Sequence, residues 1–197
     1  MTNIIHKNST DFDAKRHQFF PFEIKPSIVV KAVDVATVYD VTGKLTEKVF
    51  SSMADLGLMP FGPAPEHLQA MRKRHAEHFV IYANGDEPIG WSIGEQRAAD
   101  DFFMSWTGII PAYQNQGIYS AFLRHLIDYC TALGYARITS NHMVNNRRVI
   151  VVKMKAGFVA SGMSLDERIG AVLWLTYYID KEREAGFKSA FSLENYD

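Results

Sequence analysis

The stretch Ile109-Ile110-Pro111-Ala112-Tyr113-Gln114-Asn115-Gln116-Gly117-Ile118-Tyr119-Ser120 sets a polar loop with one glycine between an apolar strand end and an apolar-periodic run. A helix opening there leaves its first N–H groups without internal acceptors, and the helix dipole adds partial positive charge at the same end. Such a terminus can hold a phosphate, and a glycine lets the phosphate approach the backbone. A neutral loop such as Gln114 to Ser120 can do this without lysine. The same pattern also fits a plain strand–turn–helix connection with no ligand. Elsewhere the signals are thinner. His75 and His78 stand three apart, but a zinc site needs three or four ligands and no further ligand stands out. Thr42-Gly43-Lys44-Leu45-Thr46 hints at a phosphate loop, yet it lacks the first glycine and falls in a helical pattern. Arg72-Lys73-Arg74-His75 reads as a solvated stretch of helix, or as a patch that attracts an acidic acceptor or a phosphate. Arg147-Arg148 could do the same at another helix. Cys130 falls on the apolar face of its helix and reads as core rather than nucleophile.

The whole chain frames these residues. Its 197 residues suit one compact domain that needs no metal or disulfide staple. Hydrophobic residues are 47% and charged residues 22%, ordinary for a globular protein, so disorder is confined to the ends. The net charge of -1 and pI near 6.7 lack the basic footprint of a nucleic-acid binder. Aromatics at 13% suggest a thick core or a hydrophobic cleft. One cysteine excludes an intrachain disulfide, and a reducing compartment is the simplest fit. The N-terminus shows no signal-peptide pattern. The longest apolar-rich stretch, Gly170 to Ile179, is too short to span a bilayer, which takes roughly 20 residues. Asn8-Ser9-Thr10 matches a glycosylation acceptor by chance if the chain is not secreted. A cytoplasmic protein with no nucleic-acid or membrane partner is therefore expected.

The elements that must position the loop follow from periodicity and breakers. Residues 1–20 read as a polar, irregular N-terminal extension, and 21–197 as the single domain. Ile28 to Val33 is a β-branched strand. Val38, Val41, Leu45, Val49 and Met53 recur at helical spacing, and Gly57 ends that pattern. Gly57 to Pro65 is a breaker-rich loop, and Pro65 opens a second short helix through about Glu77. Phe79 to Tyr82, a turn over Asn84 to Pro88, and Ile89 to Glu95 form a hairpin. Phe102 to Ile110 is the next strand, stopped by Pro111. Ile118, Phe122, Leu126, Cys130 and Leu133 share one helix face, closed by Gly134. Ile138 to His142 is a short strand. Val149 to Val152 is strand-like by propensity, but Asn145-Asn146 before it and Gly157 after it read as helix caps, so a helix is predicted. Strands around Phe158–Ser164 and Ala171–Ile179 and a closing helix from Lys181 to about Ser189 complete an α+β, mixed α/β order around one sheet.

Two elements together carry a family resemblance. Gln114-Asn115-Gln116-Gly117-Ile118-Tyr119 resembles the Gln/Arg-x-x-Gly-x-Gly/Ala signature of the GNAT superfamily of N-acetyltransferases. Ile109-Ile110-Pro111 is similar to that family's hydrophobic-x-Pro strand end. Asn146 to Lys155-Ala156-Gly157-Phe158 is similar to its Asn…Lys-x-Gly-Phe helix. The resemblance covers roughly residues 78 to 180, and the two motifs stand in the family's order and spacing. It implies a central, mostly antiparallel twisted sheet flanked by helices on both faces. It implies acetyl-CoA as co-substrate, no metal, and transfer of the acetyl group to an amine, on a small molecule or a peptide, by direct attack in a ternary complex. Gly108, Ile109, Ile110, Gln114, Asn115, Gln116, Gly117, Ile118, Tyr119, Ser120, Asn141 and Asn146 are the implied cofactor-binding residues. In the family the strand ending at Gly108 to Ile110 splays from its neighbour, pantetheine pairs with it like an added strand, and one of its N–H groups can act as oxyanion donor.

The chain departs from the family at two positions. Tyr119 replaces a small residue near the pyrophosphate, so its ring must point away or reshape the pocket. Lys153 stands where the family often carries a tyrosine that protonates the leaving thiolate. Seven residues are close to two helical turns, which sets Lys153 on the face of Asn146. Lys153 is then either the proton or charge donor or a surface lysine of an amphipathic helix. Glu95, on the preceding strand, is the candidate general base, or else a solvated hairpin charge. Asp100 and Asp101 read as turn residues. Three alternatives remain: a longer acyl group, a non-catalytic acyl-CoA-binding sensor of the same fold, and a ligand-free interaction domain. A homodimer is left open.

Overall fold

The computed structural model describes residues 12–50, 75–167 and 169–191. Eight strands form one sheet: β1 (Phe22–Lys25), β2 (Ile28–Ala32), β3 (Ala76–Ala83), β4 (Glu87–Ala98), β5 (Asp101–Ile109), β6 (Arg137–Met143), β7 (Val159–Asp166) and β8 (Gly170–Tyr178). Their spatial order is β1-β2-β3-β4-β5-β6-β8-β7. Every pairing is antiparallel except β5 with β6. The helices are α1 (residues 12–19), α2 (Val35–Val49), α3 (Ile118–Leu133), α4 (Arg147–Lys155) and α5 (Lys181–Ala190). The one parallel pair needs a crossover, and α3 supplies it.

Two apolar layers hold the sheet between helices. On one face Val38, Val41 and Leu45 of α2 pack on Val80, Trp91 and Ile93. On the other, Ile118, Phe122, Leu123 and Leu126 of α3 pack with Phe79, Ile81, Ile89, Phe102 and Met104. The period-2 alternation of β3 separates Phe79 and Ile81 from Val80 in this way. Helices on both faces of a mostly antiparallel sheet are the architecture expected.

Several local expectations change. The first 20 residues read as irregular, yet residues 12–19 are helical and Phe20 is buried. Arg16 holds this helix in place: its guanidinium donates to both carboxylate oxygens of Glu77, at 2.8 and 3.0 Å. Glu77 is 1% exposed and also meets His75 Nε2 at 2.7 Å and accepts from Tyr129 Oη at 2.8 Å. Burial alone would raise the Glu77 pKa, but the hydrogen bonds from His75 and Arg16 outweigh it and hold the carboxyl below its usual range. Ala76 and Glu77 belong to strand β3, not to the end of a helix. The loop Gly57–Pro65, the helix opened by Pro65, the run Arg72 to Arg74, Met53 and Asn8 to Thr10 lie outside the described residues. Strand β1 was not anticipated; it is short, and Phe22 stacks on His125 with ring centroids 3.7 Å apart. The helix over Val149–Val152 is present as α4, and Gly157 closes it with left-handed backbone at φ 97.

Candidate active site

Strands β5 and β6 part company halfway along. Their parallel register runs from Asp101↔Arg137 to Met104↔Ser140 and stops. Beyond it β5 stays with β4 as far as Gly90↔Ile109, and β6 stays with β8 as far as Met143↔Val172. The cause is visible in β5. Ile93 faces Trp106 while Gly94 faces Met104, so Ser105 is an extra residue in the ladder. A bulge of this kind bends its strand, and this one falls next to the last β5–β6 pair. Ser105 Oγ donates to the Ile93 carbonyl at 3.1 Å and fastens the bulge. A wedge-shaped gap opens between Ser105–Ile109 and Asn141–Met143.

The wall of the gap has a defined polarity. Ile110 N–H donates to the Ile89 carbonyl at 2.9 Å. Peptide groups alternate sides along a strand, so Gly108 and Ile110 turn theirs toward β4, and Ile109 turns its N–H and C=O into the gap. The Gln114 side chain donates to that Ile109 carbonyl at 2.8 Å, which leaves the Ile109 N–H as the group able to meet a developing oxyanion. Gly108 has a packing reason of its own: a Cβ there would lie 2.7 Å from the Trp91 ring.

The loop after β5 turns through Pro111–Tyr113 into α3. Asn115 and Gly117 both have left-handed backbone, at φ 61 and 76. Gly117 is the N-cap, makes no side-chain cap bond, and has open space where a Cβ would stand. The first intrahelical bond runs from Ala121 N–H to the Gly117 carbonyl, so the amides of Ile118, Tyr119 and Ser120 precede the ladder. The open N-terminus has the geometry of an anion site. Gln116 is spent on structure, donating to the Ala112 carbonyl and accepting from Lys25 Nζ at 2.8 Å. Ile118 is core, and Tyr119 packs against the same core, its phenol pKa pushed up by burial. The ring therefore points away from the loop amides.

At the apex of the gap sits Lys153. It is fully buried, at 0% exposure. Its ammonium donates to Ser140 Oγ at 2.6 Å, touches Met104 Sδ at 3.3 Å and lies 4.8 Å from the centroid of Phe158. Met104 and Ser140 are the last paired residues of β5 and β6, so Lys153 bridges the two strands at the point where they separate. Desolvation brings its pKa down to about 7. The surface-lysine alternative does not hold. Asn146 occupies the N-cap of α4 as expected but makes no side-chain cap bond.

Sequence reasoning missed two neighbours. His142 Nε2 lies 3.1 Å from Ser140 Oγ, and burial, followed by the charge of Lys153, lowers the imidazole pKa to about 3. Ser140 and His142 alternate in phase with buried Ile138. That polar pair on an apolar face was the available signal. Asn141 and Glu95 lie elsewhere. Asn141 faces Trp174 in register, on the side of β6 opposite Ser140 and His142. Glu95 faces Phe103, one residue from Met104, and so lies across the sheet from Lys153. The structure gathers Lys153, Ser140 and His142, and it does not bring Glu95 to them.

The remaining candidates resolve simply. Thr42 and Lys44 sit inside α2, where Thr42 is buried and Lys44 pairs with Asp40. Cys130 is buried core, its thiol pKa pushed up by burial. Asp101 is not a free turn charge: it is buried, bonded by Thr139 and paired with Arg137. No group of three metal-capable side chains occurs among the described residues. No helix among them is long and apolar enough to cross a membrane. A cavity of about 510 Å³ lined by Arg97, Arg137, Trp174 and Tyr178 lies at the paired end of β5 and β6, and it does not coincide with this gap.

A split between a parallel strand pair, with a glycine-opened helix at the end of the first strand, defines an acyltransferase-type site. The family model described as acetyltransferase (GNAT) family matches residues 47–158. The chain belongs to this family of acetyltransferase enzymes. No protein of curated function matches its sequence. Solved structures share the fold at low identity. The ribosomal-protein-S18-alanine N-acetyltransferase of Escherichia coli is 16% identical, with 77% of this chain and 94% of that one aligned at a TM-score of 0.60. A spermidine N-acetyltransferase of Vibrio cholerae, solved with CoA and spermine, is 16% identical over 78% and 96% of the two chains, at 0.58. A GNAT family acetyltransferase of Elizabethkingia anophelis with acetyl-CoA bound is 15% identical over 79% and 100%, at 0.55.

Proposed function

We infer that the chain, as one domain, transfers an acetyl group from acetyl-CoA to an amine that attacks the thioester directly. The observation that carries this reading is the gap between β5 and β6 with buried Lys153 at its apex. The open edge of β5 offers backbone pairing to an extended pantetheine arm. The amides of Ile118, Tyr119 and Ser120, with Gly117 giving access, receive the pyrophosphate. The Ile109 N–H meets the oxyanion, and Lys153 supplies the proton and positive charge that the departing thiolate needs. A lysine of pKa near 7 is matched to that task at neutral pH, where an ordinary lysine is a poor acid. Glu95, across the sheet, is a base only for an amine that enters from its own face. A protein alanine and spermidine, the acceptors in the names of two structural neighbours, make a peptide amino group and spermidine the first probes.

Calorimetry with acetyl-CoA, followed by thiol release with spermidine and with a short peptide bearing a free amino terminus, tests the reading. Binding with acceptor-dependent thiol release supports it. Binding without release from any acceptor supports the sensor alternative. No binding at millimolar acetyl-CoA refutes both.

A further inference from the structure

Lys153 raises a difficulty: it is 0% exposed, yet an acid must reach its base. The route out is shown by its partners. The ammonium meets Met104 from β5, Ser140 from β6 and Phe158 just after α4, and Ser140 in turn meets His142 of the same strand. Lys153 makes no ion pair among the described residues. Met104 and Phe158 cannot carry a proton. Ser140 can, because a hydroxyl accepts and donates at once. It is itself fully buried, and its oxygen lies 2.6 Å from Lys153 Nζ and 3.1 Å from His142 Nε2. His142 is only half-buried. It stands two residues farther along β6, beyond the last β5–β6 pair, on the gap.

We propose that Lys153, Ser140 and His142 form a proton wire in which the buried lysine is the reservoir, Ser140 the relay, and His142 Nδ1 the end that faces the leaving thiolate. This rests on the reading of Lys153 as the source of the leaving group's proton and specifies its path. The hydrogen bonds fix the starting state. An ammonium only donates, so Ser140 Oγ accepts from Lys153. The single hydroxyl hydrogen of Ser140 then goes to His142 Nε2, and the neutral ring carries its hydrogen on Nδ1. Burial keeps the ring neutral. In the transfer the Lys153 N–H bond breaks as a Ser140 O–H forms. The original Ser140 O–H breaks as His142 Nε2–H forms, and His142 Nδ1–H breaks as the thiol S–H forms. One proton has moved from ammonium to thiolate, Lys153 is neutral, and His142 has changed tautomer. A solvent proton entering at Nδ1 reverses the chain and recharges the lysine. His142 is thus a catalytic residue and Ser140 a positioning residue.

The wire ties the His142 tautomer to the charge on Lys153, and this is measurable without any acceptor. Long-range proton–nitrogen NMR reads the tautomer of each of the seven histidines, and His142→Gln identifies the signals of His142. In the wild-type protein the ring should stay neutral from about pH 5 to about pH 9 and switch from Nδ1–H to Nε2–H as pH rises through about 7, where Lys153 loses its proton. Lys153→Met and Ser140→Ala should each abolish the switch. A single tautomer throughout, or an imidazolium forming near the ordinary 6.5, overturns the wire in the wild-type protein itself, whether or not the variants fold. Thiol release separates this proposal from the reading beneath it. No switch, with Lys153→Met still slow, overturns the wire and leaves Lys153 as the acid. A switch, with Lys153→Met at full turnover, overturns the acid and the catalytic wire together.

Discussion

Replacing Lys153 by methionine removes a charge from a site that holds it at a cost, and keeps the length and apolar stem of the side chain. The lysine is fully buried, and its pKa falls from 10.5 to about 7. In the unfolded chain it stays protonated to near its ordinary value. Between pH 7 and 10.5 the unfolded state therefore binds more protons, and stability rises with pH. At 1.36 kcal/mol per pH unit the charged form costs the fold about 5 kcal/mol at pH 6 and about 2 kcal/mol at pH 9. Methionine carries no such cost at either pH. Ser140 keeps its bond to His142 in the variant. Lys153→Met should thus gain about 3 kcal/mol more, relative to wild type, at pH 6 than at pH 9. For a chain of this size that is on the order of 8 °C in Tm. Thermal melts at the two pH values give the double difference. An equal Tm change at both, or a variant that loses more at pH 6, would refute the buried, discharged lysine. Turnover should fall by about 10²-fold or more in the same variant, with acetyl-CoA affinity little changed.

Other substitutions probe the rest of the site. Gly117→Glu puts an anion beside the open α3 terminus and should weaken acetyl-CoA binding by about 10²-fold or more in calorimetry; Gly117→Ala reports the strain at φ 76 alone, about 1–2 kcal/mol. Gly108→Ala drives a methyl group into the Trp91 ring and should lower stability by about 1–3 kcal/mol in urea unfolding; an unchanged midpoint would show that the ring has room to yield. Arg16→Met removes two of the bonds to buried Glu77 and should cost about 1–3 kcal/mol. The Glu77 carboxyl is held below its usual range, so its contribution is present above that range and lost as pH falls. The acid limb of unfolding should therefore move to higher pH in Arg16→Met, as followed by circular dichroism, and an unmoved limb counts against the role given to this pair.

Much of the fold was legible because it depends on neighbours in sequence. The α3 face, its Gly134 cap and the hairpin at Asn84-Gly85 are set by period and by residues that accept left-handed backbone, as φ 87, 49 and 96 at Gly134, Asn84 and Gly85 show. The same holds for Gly117, left-handed at φ 76, and the open helix terminus. The helix at residues 12–19 was not legible, because what holds it is Arg16 reaching a carboxylate 61 positions away.

The chemistry at the apex was decided by tertiary structure. From the sequence alone Lys153 was a lysine on a short helix, and lysines are mostly exposed. Only the packing of α4 over the point where β5 and β6 separate buries it, and only burial lowers its pKa toward neutrality. The separation itself follows from one extra residue, Ser105, whose effect appears only once β4 and β5 are in register. Ser140 and His142 are two of the seven residues of a plain strand until the packing of α4 brings Lys153 to Ser140. The sequence by itself determined the elements and the open helix terminus, since periodicity and backbone preference act over a few residues. The burial and bonding of Lys153 came from contacts between residues 13 and 49 positions apart, which no local pattern encodes.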